Sequence, residues 1–204
     1  MRQPSTAYAT CPPFGMFILS REEYAVNTEG GFFIVWPSHP SGECPNCQGR
    51  LKVRDTVERH FRDQSGKKHW FRIRRLACNG CKRLHRELPD IVIPYKHYKA
   101  EYIEAEIDNA DGRLEPTEQE QRLCSADYST LKRWILWFRS IQQLLNQRLI
   151  AIQQVLFALL FPLLGEELPL EKLRSVGGGW LGQAYAQSVN AGYPAYTPSL
   201  HRTP

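Results

Sequence analysis

Four cysteines constrain this chain more than any other feature. Cys44 and Cys47 stand in GECPNCQGRL, and Cys78 and Cys81 in LACNGCKRLHR, so a C-x2-C pair recurs after an interval of thirty residues. A two-residue gap lets both thiolates of a tight turn face one ion about 2.3 Å away, and two such turns supply the ligands of a tetrahedral structural zinc. Pro45 and Asn46 in one pair, and Asn79 and Gly80 in the other, are turn formers. The spacing predicts Zn2+ held by Cys44, Cys47, Cys78 and Cys81. A full set of sulfur ligands leaves His60, His69 and His85 as solvent or phosphate contacts. Two disulfides or free thiols are the alternative, which suits a secreted chain better than this one. The opening MRQPSTAYATCPPFGMFILS holds no continuous apolar run of signal-peptide length, and no segment reaches the roughly 18 apolar residues of a spanning helix. A cytoplasmic protein with reduced thiols and no membrane contact is expected, with Cys11 and Cys124 inert.

Charge is concentrated on the segment that the metal would organise. Thirteen Lys and Arg lie between Arg50 and Arg86 against three acids, Asp55, Glu58 and Asp63, a balance of +10 in a chain whose net charge is only +5. Such a run is either a solvated face or a surface for phosphates. On the second reading Arg72, Arg74, Arg75, Lys82, Arg83 and Arg86 neutralise a nucleic-acid backbone.

Periodicity divides the chain. In RLKVRD, Leu51 and Val53 alternate with Arg50, Lys52 and Arg54, and in HWFRIRRL, Phe71 and Ile73 alternate with Arg72 and Arg74, which predicts strands with one apolar and one basic face. With the cysteine turns these strands make a zinc ribbon over residues 31–93, preceded by an N-terminal arm over 1–30. GGFFIVWP supplies a short strand that Pro37 stops, and TVERHFRDQSGKKH an inserted hairpin. Residues 94–140 read as a helix-turn-helix. A helix from about Tyr95 carries Tyr98, Tyr102, Ile103 and Ile107, and a short one follows over PTEQEQRLC. A third, capped by Ser125, bears the stripe Leu131, Trp134, Ile135 and Phe138. Ser129, Lys132 and Arg133 lie off that stripe, where a major groove could be read. Leu136 and Trp137 are off it too and require a second cover or a partner. Residues 141–174 form a leucine-rich C-terminal helix, whose 141–164 stretch is either a core helix or a homodimer interface. Residues 175–204, with Gly177 to Gly179, read as a flexible tail that docks through Trp180, Tyr185 or Tyr193. The fold class is thus α+β: a small zinc ribbon followed by an all-α helix-turn-helix and a long C-terminal helix.

Nothing in the pattern calls for catalysis. Glu101, Glu104 and Asp108 share one helix face and read as a solvated surface, and the three glycines at 177 lack the Lys and Ser or Thr of a phosphate loop.

The runs CPNCQGRL, IRRLACNGCKRLHRELPDIVIPYKHY and SADYSTLKRWILWF resemble an uncharacterised domain family of bacterial, mainly firmicute, proteins linked to mobile elements. They are similar also to the zinc-ribbon and helix-turn-helix front ends of insertion-sequence transposases. The resemblance spans roughly residues 40 to 140 and is most specific over HRELPD and PYKHY. It implies metal at the four cysteines and nucleic-acid binding through the basic ribbon and the third helix. The chain stops soon after the helical part, leaving no room for the RNase H-like core of a transposase. The expectation is a zinc-dependent accessory protein that binds double-stranded DNA in transposition or its regulation, beside a transposase or recombinase, and is not an enzyme. A protein-interaction or RNA-binding zinc module is the alternative, since Trp70, Phe71 and Tyr95 stand among the basic residues and could stack on unpaired bases.

Overall fold

The computed structural model describes residues 14–19, 21–37, 42–114, 124–156 and 168–191. Six strands occur among them: β1 (Phe14–Leu19), β2 (Tyr24–Glu29), β3 (Phe32–Pro37), β4 (Leu51–Arg62), β5 (Lys68–Cys78) and β6 (Leu84–Pro89). β1 and β2 are joined by residues 20–23, yet they occupy the two ends of the hydrogen-bonded path β1-β6-β5-β3-β2. A link of four residues spans at most about 17 Å, so the path must curl until its ends approach. The result is a nearly closed barrel of mixed sheet. Asp90, just after β6, braces the gap: its carboxylate accepts the Arg21 N–H at 3.0 Å and the Tyr24 hydroxyl at 3.1 Å, while its own N–H donates to the Leu19 carbonyl at 2.9 Å.

This architecture replaces the expected zinc ribbon followed by a separate helix-turn-helix. β1 and β2 fall in the stretch read as an N-terminal arm, and they belong to the same sheet as the cysteine-bearing strands. β5 is its axis. Along one edge it pairs antiparallel with β4, from Arg62↔Lys68 to Leu51↔Cys78. Its other edge is divided between β3, parallel at Phe33↔Phe71, and β6, antiparallel at Arg75↔Arg86.

The β4–β5 hairpin buries opposite faces at its two ends. Phe71 and Ile73 enter the main core with Phe61, whereas Leu76 and Cys78, of the other parity, enter a separate small core with Leu51 and Cys44. β4 follows because its register shifts between Val53 and Asp55, leaving Arg54 as a bulge.

Among the described residues four helices pack against the barrel in one continuous core: α1 (Ala100–Ala110), α2 (Tyr128–Leu156), α3 (Pro169–Val176) and α4 (Trp180–Asn190). The proposed recognition helix does not end near 140. No Gly or Pro interrupts RSIQQLLNQRLIAIQQVL, so α2 runs on for 29 residues as one rod. Its buried stripe continues through Ile141, Leu145 and Leu149, which places those side chains of the 141–164 stretch inside the chain's own core. Trp137 is buried, stacked on Tyr185 and capped by the Lys96 ammonium 4.1 Å from its ring, while Leu136 remains exposed. The helix start is capped by Asp127 rather than Ser125: the Asp127 carboxylate accepts the Thr130 N–H at 3.0 Å. The short helix read over 116–124 falls almost wholly outside the described residues.

The stretch read as a flexible tail supplies α4, with Trp180, Leu181 and Ala184 at the centre of the core. Asn190 at its end hydrogen-bonds both backbone groups of Ile18 in β1, at 2.9 and 2.7 Å, so a side-chain amide takes the place of a neighbouring strand. Tyr193 lies outside the described residues. The Glu101, Glu104 and Asp108 face is not a solvated surface throughout. Glu104 is buried and accepts N–H groups from Gly179, Leu181 and Gly182 at the start of α4, at 2.7, 3.0 and 3.3 Å. Asp108 pairs with Arg174 and takes the Trp180 indole N–H at 2.9 Å.

Candidate metal centre and its basic surroundings

Hairpin pairing brings the two C-x2-C turns together. Cys78 ends β5 directly opposite Leu51 at the start of β4, and the Asn79 N–H donates to the Arg50 carbonyl at 3.0 Å. The turns are built alike. Cys44 N–H donates to the Gly49 carbonyl at 2.9 Å, and Cys78 N–H to the Arg83 carbonyl at 3.0 Å, the same five-residue step in each. The residue after each second cysteine, Gln48 or Lys82, is left-handed, with φ of 58° and 61°. This conformation is uncommon for side chains other than Gly, Asn or Asp, and its recurrence at equivalent positions marks one loop design used twice.

The sulfurs converge as a ligand set would. All four Sγ atoms lie within 4.8 Å of one another, with Cys47 to Cys78 at 3.4 Å and Cys44 to Cys81 at 3.7 Å. A tetrahedron with metal–sulfur bonds of about 2.3 Å has edges of roughly 3.8 Å, so the four cysteines can hold one metal ion. Two glycines keep the space clear. A Cβ on Gly49 would stand 3.1 Å from the Cys78 sulfur and 3.2 Å from that of Cys47, and one on Gly80 would stand 3.1 Å from Cys47.

Burial pushes the Cys44 thiol up to about 11, against the pull of the Asn46 and Cys47 N–H groups. At Cys78 burial acts in the same sense but is outweighed by the Cys81 N–H, the Cys47 thiol and the Gly80 N–H, and the net shift is downward. Metal binding to such a set must displace protons.

His85 is the residue that sequence reasoning assigned wrongly to solvent or phosphate. It is 1% exposed, and its Nε2 lies 3.4 Å from the Cys44 sulfur. Burial, then the Arg83 charge, lower its pKa, and a proton carried on Nε2 would let the ring donate to the Cys44 sulfur once a metal has made it a thiolate. That is the part of an outer-shell group that orients a ligand. The clue in sequence was parity: His85 sits opposite Leu76, whose side chain shares its face.

The basic residues divide into two sets. Arg74 makes a two-pronged pair with Glu87 at 2.6 and 2.9 Å, with both side chains largely buried. Arg75 grips Asp55 at 2.5 Å through both nitrogens, and Arg72 meets Glu58 at 3.1 Å. These three have carboxylate partners. Arg86 faces Arg75 across the β5–β6 ladder, and with Arg59 they form one group in which burial and the neighbouring guanidiniums lower the Arg59 pKa. Exposed around the cysteine turns stand Arg50, Lys52, Arg54 and Lys82, with Arg83 half-buried and bonded to Asn46 at 3.0 Å.

Ser129, Lys132 and Arg133 are not part of this cluster. They lie on the first turns of α2, which dock at the far end of the hairpin through the Ser125 N–H and the Gln64 carbonyl, 2.9 Å apart. Ser129 is bonded to Asp127, and Arg133 reaches back to the Thr130 hydroxyl at 2.7 Å.

Fold and site together define a barrel-and-helix protein carrying a paired cysteine-turn centre that can hold a metal. Residues 44–134 match a family described as a "Domain of unknown function (DUF6431)". No curated protein and no solved structure matches the chain significantly. Among the described residues no helix is long and apolar enough to cross a membrane.

Proposed function

We propose that the chain is a nucleic-acid-binding protein, without catalytic activity of its own, in which a structural Zn2+ on Cys44, Cys47, Cys78 and Cys81 fixes a basic surface against duplex DNA phosphates. The observation that carries this reading is the disposition of charge. With Arg72, Arg74 and Arg75 paired to acids, Arg50 and Lys82 still stand exposed on the two turns that the sulfurs join, and Lys52 and Arg54 on the adjoining start of β4. Four thiolates suit Zn2+ among the divalent ions and leave it no open position for a substrate. The bound ion would lock the two turns as one rigid unit and so preorganise the cations on them and on the strand that leaves them. The accessory role in a mobile element, beside a transposase or recombinase, rests on the sequence resemblance.

Gel-shift titration of zinc-loaded protein against duplex DNA at several salt concentrations tests the reading, beside a Lys52→Glu/Lys82→Glu variant. Both lysines are exposed, so their reversal leaves the carboxylate pairs of β5 intact. Each phosphate contact contributes about 0.9 to the salt slope; losing two flattens it by about 2, and chelation abolishes binding. Affinity that survives both chelation and charge reversal refutes it.

A further inference from the structure

We propose that the outer face of the β4–β5 hairpin tip binds an unpaired nucleic-acid strand, stacking its bases on Trp70, His60 and His97. This deepens, and rests on, the reading that the chain binds nucleic acid. His60 and Trp70 are a cross-strand pair, their rings 4.9 Å apart and tilted by 50°. His97 lies almost parallel to His60, 5.1 Å away and 12° inclined. The His97 backbone is pinned as a short added strand, since Arg62 N–H donates to its carbonyl at 2.6 Å and Arg62 bridges to Tyr98. Three rings are therefore held by backbone pairing on one face. Trp70 is 40% exposed and His97 is exposed as well.

Charge complements the rings. Arg62 and Lys68 are the next cross-strand pair toward the tip on the same face, and Lys67 stands exposed in the turn. The nearest acids are engaged: Glu58 with Arg72, and Asp63 with His69 and the turn backbone. Aromatic faces interleaved with cations take stacked bases and their phosphates, whereas a duplex keeps its base faces covered. An aliphatic protein partner would meet rings and ammonium groups instead of an apolar surface. His60 is nine strand residues from Leu51, roughly 30 Å along the hairpin, so this surface is distinct from the surroundings of the cysteine centre.

Fluorescence polarisation of labelled oligothymidine, oligouridine and a duplex, titrated with the full zinc-loaded chain, tests the proposal with Trp70→Ala, Trp70→Phe and His97→Ala variants. Trp70→Ala weakens single-strand binding by about 10-fold, Trp70→Phe restores most of it, and duplex affinity is unchanged. Circular dichroism checks the fold, and His97→Ala serves if Trp70→Ala misfolds. Preference between the two single strands tells DNA from RNA, and either supports the site. Duplex binding by the wild type together with unchanged single-strand affinity in the variants overturns the stacking surface alone. Failure of the wild type to bind any of the three probes overturns the nucleic-acid reading with it.

Discussion

Glu104 offers the sharpest test of how the helices are joined to one another. Its carboxylate, on α1 and 2% exposed, caps the first turn of α4, which follows Gly179 and has no capping side chain of its own. In Glu104→Ala three N–H donors lose their acceptor. That of Gly179 is partly accessible and finds water, but Leu181 and Gly182 are buried. Two orphaned donors cost about 1–3 kcal/mol each, and the one lost methylene adds roughly 1 kcal/mol. A destabilisation of about 4 kcal/mol follows, a large share of the 5–15 kcal/mol that holds a typical domain together. Glu104→Gln keeps the volume and one acceptor oxygen but turns the other into an NH2 donor facing a backbone N–H, and costs about 2 kcal/mol. Urea unfolding followed by tryptophan fluorescence reads both. At a slope of about 2 kcal/mol/M, Glu104→Ala moves the midpoint down by about 2 M with the slope unchanged. A midpoint within about 0.5 M of wild type would show that α4 does not depend on this cap.

Other perturbations separate the remaining contributions. Arg174, whose side chain is 1% exposed among Asp108, Asp111 and the Trp180 ring, ties α3 to α1 and α4. Arg174→Ala should cost about 3 kcal/mol and lower the melting temperature by about 9 °C, and a calorimetric shift under 3 °C would contradict it. His85→Ala should weaken metal binding by about 10- to 100-fold in competition with a chromophoric chelator; equal affinity in wild type and variant would remove His85 from the outer shell. Two carboxylates respond oppositely to pH. Hydrogen bonds from Ser129 and Thr130 hold Asp127 down at about 2, so its stabilising contribution is present above 3.8 and lost as pH falls toward 2. Burial, partly countered by its N–H donors, raises Glu104, so its contribution is full below 4.5 and declines as pH rises through the folded-state value. Unfolding free energies over pH 2 to 7 for wild type, Asp127→Asn and Glu104→Gln should show each slope vanish in the matching variant, and persistence of either slope counts against that assignment.

The meeting of the four cysteines was legible because C-x2-C spacing is a local property, and so were the strands at Leu51–Val53 and Phe71–Ile73, because one face of each is apolar. What escaped was non-local. FGMFIL has no alternation to announce a strand, and it becomes one only because β6 and Asn190 satisfy its backbone. Glu104 and Asp108 read as solvent-facing because their partners, Arg174 and the start of α4, come about seventy residues later. The stripe of α2 suggested a recognition helix because three-helix packing and core burial share the same period. Arg72, Arg74 and Arg75 looked alike in a basic run, and only strand pairing shows that each has its own acid.

The bulge at Arg54 has a consequence for how this chain can change length. On either side of it the register is regular, Val53 opposite Leu76 and Asp55 opposite Arg75. Excising Arg54 alone would fuse the halves into an unbroken ladder with every remaining side chain on its present face, the metal-side residues still facing the sulfurs and the tip residues still facing the helices. Removing Thr56 instead would turn either half inside out. The middle of β4, where a single-residue loss ordinarily ruins a strand, thus contains one position that the lineage could gain or discard freely, so length variation among relatives should gather there.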